Sequence, residues 1–185
     1  MHGSRRDFLE KSILGILSVS WASLLPTPLL AQSPAPELLF GRWKHSGGAS
    51  DQQRRKKAID TIADAMPFGF RDMTRDRILE TNPLEPWVYL RQEETLVIVE
   101  YPDTQPMRAL RDGTVSTWTN REQVQVKLTH RLSDTLLVQV TINKKGRRRT
   151  SFRLDSSKQK LLIDTHVQSK YLPGPVQYRS HYRRA

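Results

Sequence analysis

Histidine, aspartate and serine are the side chains of this 185-residue chain that could take part in catalysis or metal binding. Asp164 and His166 lie two residues apart and share one face of a predicted strand, where His45, His130 or His181 could complete a metal site. No two of them have the helical spacing of a metalloenzyme motif, and no serine stands in the turn of a nucleophile elbow. The residues therefore predict no catalytic site, no bound metal and no cofactor, and they favour a protein that is not an enzyme.

The N-terminal segment has the layout of an export signal. Arg5 and Arg6 stand in a segment, Ser4 to Lys11, that resembles the twin-arginine export motif, with Glu10 displacing the lysine by one place. A moderately apolar stretch from Ser12 to Leu30 follows, as in signal peptides. The resemblance implies that the twin-arginine translocase carries the folded protein across the membrane, so that the mature protein is periplasmic or otherwise exported.

Three regions follow from this layout. We expect a twin-arginine-type signal over residues 1–31, a linker over residues 32–37 and a β-barrel domain over residues 38–185. Cleavage after residue 31 is the favoured outcome, because two prolines interrupt the apolar stretch that a membrane-spanning helix would need. An uncleaved signal that is kept as an anchor is the alternative.

The chain is strongly basic, and its charge favours anionic partners. The formal net charge is +11, and removal of the signal, with its three basic and two acidic residues, leaves +10. The densest basic run is Lys144, Lys145, Arg147, Arg148 and Arg149, at a predicted hairpin tip. In an exported protein this run favours anionic lipid or another envelope polymer over nucleic acid. A solvated hairpin with no partner is the alternative.

The strand from Leu38 to His45 organises the rest of the chain. Gly41 and Trp43 alternate there with charged residues, which is the period-two pattern of a half-buried strand. Two helices are predicted next, the first beginning in a capping box at Ser50 and the second spanning residues 71–80. This order of elements predicts a helical pair inserted after the first strand.

Nine further strands follow, and the turns between most of them are short. They are predicted over residues 87–92, 96–101, 107–111, 115–119, 123–131, 135–143, 148–154, 160–168 and 176–183. Short links favour an antiparallel meander that removes its edges by closing, with the first and last strands as neighbours. The predicted fold class is therefore mainly β: an up-and-down antiparallel β-barrel of about ten strands with a two-helix insertion after the first.

Alternation along the strands predicts which side chains line the barrel. The inward residues of the sixth and seventh strands are expected to be Val124, Val126, Leu128 and His130, then Leu136, Val138, Val140 and Ile142. The predicted ligand-binding residues are Trp43, Trp87, Tyr89, His130, Phe152, Tyr178 and Tyr182. Such a lumen suits an apolar molecule with a polar handle. In the alternative, these side chains fill the barrel completely.

The sequence resembles the calycin superfamily, which comprises the lipocalins and the fatty-acid-binding proteins. The Gly41-x-Trp43 opening is similar to the lipocalins, whereas ten strands with a helical pair are closer to the fatty-acid-binding branch. The resemblance implies one small ligand inside the barrel, the helices as a lid, and Arg179 or Arg183 stacked over Trp43. In fatty-acid-binding proteins, an arginine and a tyrosine two residues apart on the last strand hold a carboxylate. Here Tyr178 and Arg179 lie on opposite faces of the last strand, so the chain departs from that pair.

Two functions remain at this point. The first is an exported lipocalin-like binding protein that holds a small apolar or amphipathic ligand in its barrel and catalyses no reaction. The alternative is an envelope interaction module with a filled barrel, in which the basic surface binds anionic lipid or polymer.

Overall fold

The computed structural model describes residues 36–120 and 123–185, which form ten strands and two α-helices. The strands are β1 (Gly41–His45), β2 (Trp87–Glu93), β3 (Leu96–Glu100), β4 (Met107–Leu110), β5 (Ser116–Thr119), β6 (Gln125–Leu132), β7 (Leu136–Ile142), β8 (Gly146–Leu154), β9 (Lys160–Ser169) and β10 (Val176–Arg184). The helices are α1 (Gly48–Asp64) and α2 (Arg71–Thr81), with short 3₁₀ helices at Pro36–Leu39 and Phe68–Phe70. The predicted signal, with Arg5 and Arg6, and residues 32–35 of the predicted linker lie outside the described residues.

The strands form one antiparallel sheet that is nearly closed into a barrel. The order is β4-β3-β2-β1-β10-β9-β8-β7-β6-β5, so β1 and β10 are neighbours, as predicted. The two ends of this order, β4 and β5, leave a gap, which is narrowed where Asp112 pairs with Arg131 of β6. The structure confirms the predicted fold class, with ten strands and two helices inserted after the first.

Trp43 lies at the junction of β1 and β10. Its side chain is fully buried, and its indole Nε1 donates to the carbonyl of Leu39 at 3.0 Å. The guanidinium of Arg184 lies 4.6 Å from the centroid of the indole, so Arg184 takes the place expected for Arg179 or Arg183. The reason is register, because Arg184 pairs with Trp43 and paired residues share a face. Gly41 has a φ of +133°, and a Cβ there would lie 2.5 Å from Arg184.

Two apolar clusters fill the interior. The larger one, inside the barrel, consists of Leu39, Trp43, Val88, Leu90, Val97, Val99, Tyr101, Leu137, Phe152, Leu161, Ile163 and Tyr182. The smaller one joins the helices to the barrel through Ile59 of α1, Ile78 of α2, and Val176 and Tyr178 of β10. We call these four residues the lid cluster. The helices therefore cover one part of the inner face by burying apolar side chains, which is the main source of stability for such contacts.

The predicted faces of β7 are inverted in the structure. Leu137 and Gln139 are buried on the inner face. Alternation puts Leu136, Val138, Val140 and Ile142 in the outer set, where Ile142 is 41% exposed and Val140, paired with Arg149, is nevertheless buried. The prediction that this outer set faces inward is therefore wrong. β7 has apolar residues on both faces, so hydrophobicity alone does not fix its orientation. On β6 the prediction holds for Val126, Leu128 and His130, while Val124 precedes the strand and is exposed.

Asp51 attaches the start of α1 to the edge of β10. Because β1 ends at His45, its pairing with β10 stops there, and the fully buried Asp51 carboxylate accepts from the backbone N–H of His181 at 2.7 Å. Burial alone would raise the pKa of Asp51, but hydrogen bonds from His181 and Arg54 outweigh it and lower the pKa. The helix begins at Gly48 with no side-chain cap, so the predicted capping box at Ser50 is wrong.

Among the described residues, no helix has the length and apolar character required to cross a membrane.

Candidate functional site

Arg148 is an inward-facing arginine, although the sequence placed it on the basic surface. Along β8, Thr150 and Phe152 are buried, and alternation puts Arg148 on the same face, while Arg147 and Arg149 are exposed. The Nε atom of Arg148 is buried and has no hydrogen-bond partner. The assignment of Arg148 to the anion-binding surface is therefore wrong, because the period-two geometry of the strand turns every second residue of the run inward.

Arg148 lines a small, partly enclosed space beside the loop that follows α2, together with Tyr178 of β10. The space has a volume of about 10 Å³, which is roughly the room that one water molecule needs. The hydroxyl of Tyr178 is also buried without a partner. The remaining lining comes from the loop before β2 and from β3, β9 and β10: Pro83, Leu84, Glu85, Tyr101, Ile163, Thr165, Ser180 and Tyr182.

The electrostatics of this space favour neutral phenols around a single guanidinium. Burial raises the pKa of Tyr101, which the positive charge of Arg148 opposes only in part. Burial likewise raises the pKa of Tyr182, whose hydroxyl donates to the backbone carbonyl of Glu85 at 2.9 Å. Both phenols are therefore protonated at neutral pH. The Arg148 guanidinium and the Tyr178 hydroxyl are hydrogen-bond donors, and an acceptor of negative charge satisfies both.

Three other residues of the predicted ligand-binding set lie in the interior but already have partners there. Trp43 and Phe152 belong to the larger apolar cluster and are fully buried. His130 is also fully buried, and its ring nitrogens contact the carbonyl of Val97 and the side chain of Gln139. These side chains fill the middle of the barrel, and Tyr178 and Tyr182 are the members of the set that border the enclosed space.

Trp87 and Tyr89 have a different location from the one the sequence predicted. They alternate with the fully buried Val88 and Leu90, so they lie on the outer face of β2. Each ring is covered by an arginine: Arg42 lies 4.7 Å from the Trp87 centroid, and Arg91 lies 5.4 Å from the Tyr89 centroid. Cation–π contacts of this kind are typical of half-buried surface aromatics. The sequence signal that could have found this was the aliphatic pair Val88 and Leu90, which alternates with the two aromatic residues.

The other candidate groups are dispersed. Lys144, Lys145, Arg147 and Arg149 are exposed around the turn between β7 and β8, which Asn143 supports through hydrogen bonds to the backbone of Lys145 and Gly146. Asp164 and His166 lie on the outer face of β9, and His130 lies in the interior. Within residues 36–120 and 123–185, no three histidine or carboxylate side chains are arranged to hold a metal ion.

Several solved structures have a similar fold. They include the REP1-NXSQ fatty acid transporter, fatty-acid-binding protein 1 of Echinococcus granulosus and apo lipid binding protein 8 of Caenorhabditis elegans, with TM-scores of 0.48, 0.49 and 0.50. Their sequences are 14%, 12% and 11% identical to this chain. Each match covers 80% of this chain and, in the same order, 96%, 98% and 96% of the other protein. No protein-family model and no curated protein matches the chain. The likeness concerns the fold alone.

Proposed function

We propose that the protein is a non-enzymatic binding protein for an amphipathic molecule with a carboxylate headgroup. The observation that carries the proposal is the pair of buried donors, Arg148 Nε and the Tyr178 hydroxyl, which border one enclosed space without a partner. Unpaired buried donors cost free energy, and a carboxylate that accepts from both removes this cost. This pair differs from the one on the last strand of fatty-acid-binding proteins, since its arginine is on β8.

The apolar part of the ligand lies, in this proposal, between the helices and the barrel. The space beside Arg148 has room for about one water, so a chain of carbon atoms needs the helices to move. The contact that must open is the lid cluster, where Ile59 and Ile78 pack on Val176 and Tyr178. Opening separates apolar side chains, and the apolar chain of the ligand replaces these contacts. The proposed site therefore forms only when the ligand enters, with Tyr178 common to both parts.

A displacement assay with the delipidated protein tests this assignment. Decanoate is compared with decan-1-ol as a competitor of a fluorescent fatty-acid analogue, because the two differ only in the headgroup. We expect Arg148→Gln to weaken decanoate binding about 10- to 100-fold, the usual value of a hydrogen bond to a charged group, and to change decan-1-ol binding little. Tyr178→Phe is expected to have a smaller effect in the same direction.

Arg147→Gln is the matched control, since it removes the same charge from the adjacent, exposed position of β8. It is expected to leave decanoate binding within about twofold of the wild type, because an exposed charge is screened by solvent. Equal losses in the two variants would contradict an internal carboxylate site. So would a wild-type protein that binds neither competitor while its melting curve shows it to be folded.

We also propose that the protein is exported, on the basis of the sequence around Arg5 and Arg6. Replacement of both arginines by lysine keeps the charge but removes the guanidinium groups of the motif. We expect the precursor to remain in the cytoplasm, as measured by cell fractionation and immunoblotting. The control is Lys11→Arg, which leaves the arginine pair intact. An unchanged periplasmic amount in the double variant would contradict twin-arginine export.

A further inference from the structure

A second concave surface lies across the outer face of the barrel, and it shares only Thr165 and Tyr178 with the enclosed space at Arg148. It is an open groove of about 820 Å³ across β8, β9 and β10, bordered on one side by Arg54 of α1. Its volume lies within the range of small-molecule sites, roughly 300 to 1,000 Å³. Its polar lining includes Arg149, Asp164, Arg179 and His181, which lie outside the lid cluster, while Tyr178 of the lid cluster also lines it.

Strand register places the polar side chains of the groove in two rows. Residues paired across antiparallel strands share a face, and their Cβ atoms lie about 5 Å apart. The first row is Arg149, His166 and Gln177, and the second row is Ser151, Asp164 and Arg179. All six side chains can donate or accept hydrogen bonds, and no aliphatic residue interrupts the rows. The groove therefore suits a polar ligand rather than a lipid tail.

The charges of the groove do not balance. Asp164 accepts hydrogen bonds from Arg179 of the lining at 2.6 Å and from Arg153, which lies outside the lining, at 3.3 Å, so the groove together with this flanking residue has one excess positive charge here. Arg149 adds a second, and it makes no ion pair with any of the residues that the structure describes. Arg54 is paired with the buried Asp51 and adds none. The excess of two positive charges matches a dianion.

We infer that this groove binds the phosphate of a small, soluble phosphomonoester. At neutral pH such a phosphate has a charge close to −2 and three acceptor oxygens, whereas a carboxylate has one charge and two oxygens. Arg149 and His166 face each other across β8 and β9, and both can donate to the same oxygen-rich group. Ser151 and Gln177 supply further hydrogen bonds for the organic part of the ligand.

This site goes beyond the proposed internal site, and the two occupy opposite faces of the same strands. Arg148 points inward from β8, and Arg149, the next residue, points outward. One strand therefore supplies the main cation of each site. A ligand in the groove does not require the helices to move, since the groove is open in this structure. Thr165 and Tyr178 border both sites, so the two are told apart by the residues that border only one of them, Arg148 inside and Arg149 outside.

Isothermal titration at pH 8 and low salt, with phenyl phosphate as the probe and benzoate as the carboxylate comparison, tests the inference. We expect one phenyl phosphate per protein, and binding at least about tenfold tighter than that of benzoate. Arg149→Gln is expected to weaken phenyl phosphate binding by about tenfold or more, because it removes a charged donor, and His166→Gln by less, because glutamine keeps a hydrogen-bond donor at that position. Arg147→Gln is the matched control, on the same face of β8 but outside the lining.

Three results would overturn the inference. The first is no phenyl phosphate binding by the folded wild-type protein, and the second is equal weakening in Arg147→Gln and Arg149→Gln, which would indicate a diffuse charge effect. The third comes from sedimentation with vesicles that contain phosphatidic acid. Binding to these vesicles that depends on Arg149, in the absence of phenyl phosphate binding, would assign the surface to a membrane instead of a soluble ligand. None of these results bears on decanoate binding at Arg148.

Discussion

At the scale of single residues, His130 shows how a polar group is accommodated in the middle of the barrel. Its Nδ1 lies 2.9 Å from the carbonyl of Val97, and its Nε2 lies 3.0 Å from the Nε2 of Gln139. The consistent assignment is a neutral ring that donates from Nδ1 to Val97 and accepts from Gln139 at Nε2. Both ring nitrogens are therefore satisfied within the barrel, and the predicted ligand contact of His130 requires a ligand to replace one of these two partners.

Burial lowers the pKa of His130 from its ordinary value of 6.5 to about 4. Below pH 6.5 the unfolded chain binds a proton that the folded protein does not, so the free energy of unfolding should fall as the pH decreases from about 6.5 to about 4. The loss attributable to this shift is roughly 3 kcal/mol. Urea unfolding followed by tryptophan fluorescence at several pH values measures it.

The variant His130→Leu isolates this effect. It should be less stable at pH 7, because the Val97 carbonyl and the Gln139 side chain lose their partner, but its stability should depend less on pH between 6.5 and 4. His166→Gln, which removes a histidine from the outer face, is the matched control for the loss of one imidazole. Identical slopes for the wild type and His130→Leu would show that another group controls the acid sensitivity.

At the scale of elements, the sequence predicted every strand of the barrel, and the boundaries differ by a few residues. It failed on the orientation of β7, because Leu136 and Leu137 are equally apolar and the strand has no purely polar face. The observed register buries Gln139, which His130 needs as a partner. That requirement arises from a contact with β6, and no pattern within β7 contains it.

The neighbouring strand β8 shows the opposite case, in which the pattern was present but a stronger signal hid it. Phe152 was correctly expected in the interior, and the same alternation continued backwards through Thr150 reaches Arg148. A run of five basic residues suggested one continuous surface instead. The internal donor was thus predictable from periodicity, whereas its missing partner and the nearby Tyr178 hydroxyl depend on how the helices cover the barrel.

At the scale of the whole molecule, the barrel has one continuous side and one interrupted side. β1 and β10 pair over Trp43, Lys44 and His45, which joins the two ends of the described domain. On the other side, β4 and β5 end the sheet order, and Trp118 of β5 lies beside that gap. Closure through the β1–β10 pair removes two edges that would otherwise be exposed. The two tryptophans therefore report on two different parts of the closure.

Substitution of each tryptophan by alanine compares these two sides. Trp43→Ala should lower the free energy of unfolding by about 3 to 5 kcal/mol, because it empties a fully buried site and removes the contact with Arg184. Trp118→Ala is the matched control: its indole is half-buried and donates to the carbonyl of Gln105 at 3.2 Å, so its loss should cost clearly less. Urea unfolding of both variants, followed by circular dichroism, measures the difference. Equal costs would mean that the contacts of Trp118 beside the β4–β5 gap stabilise the barrel as much as the contacts of Trp43 at the β1–β10 pair. The strand pairing argues against this, because β1 and β10 are paired and β4 and β5 are not.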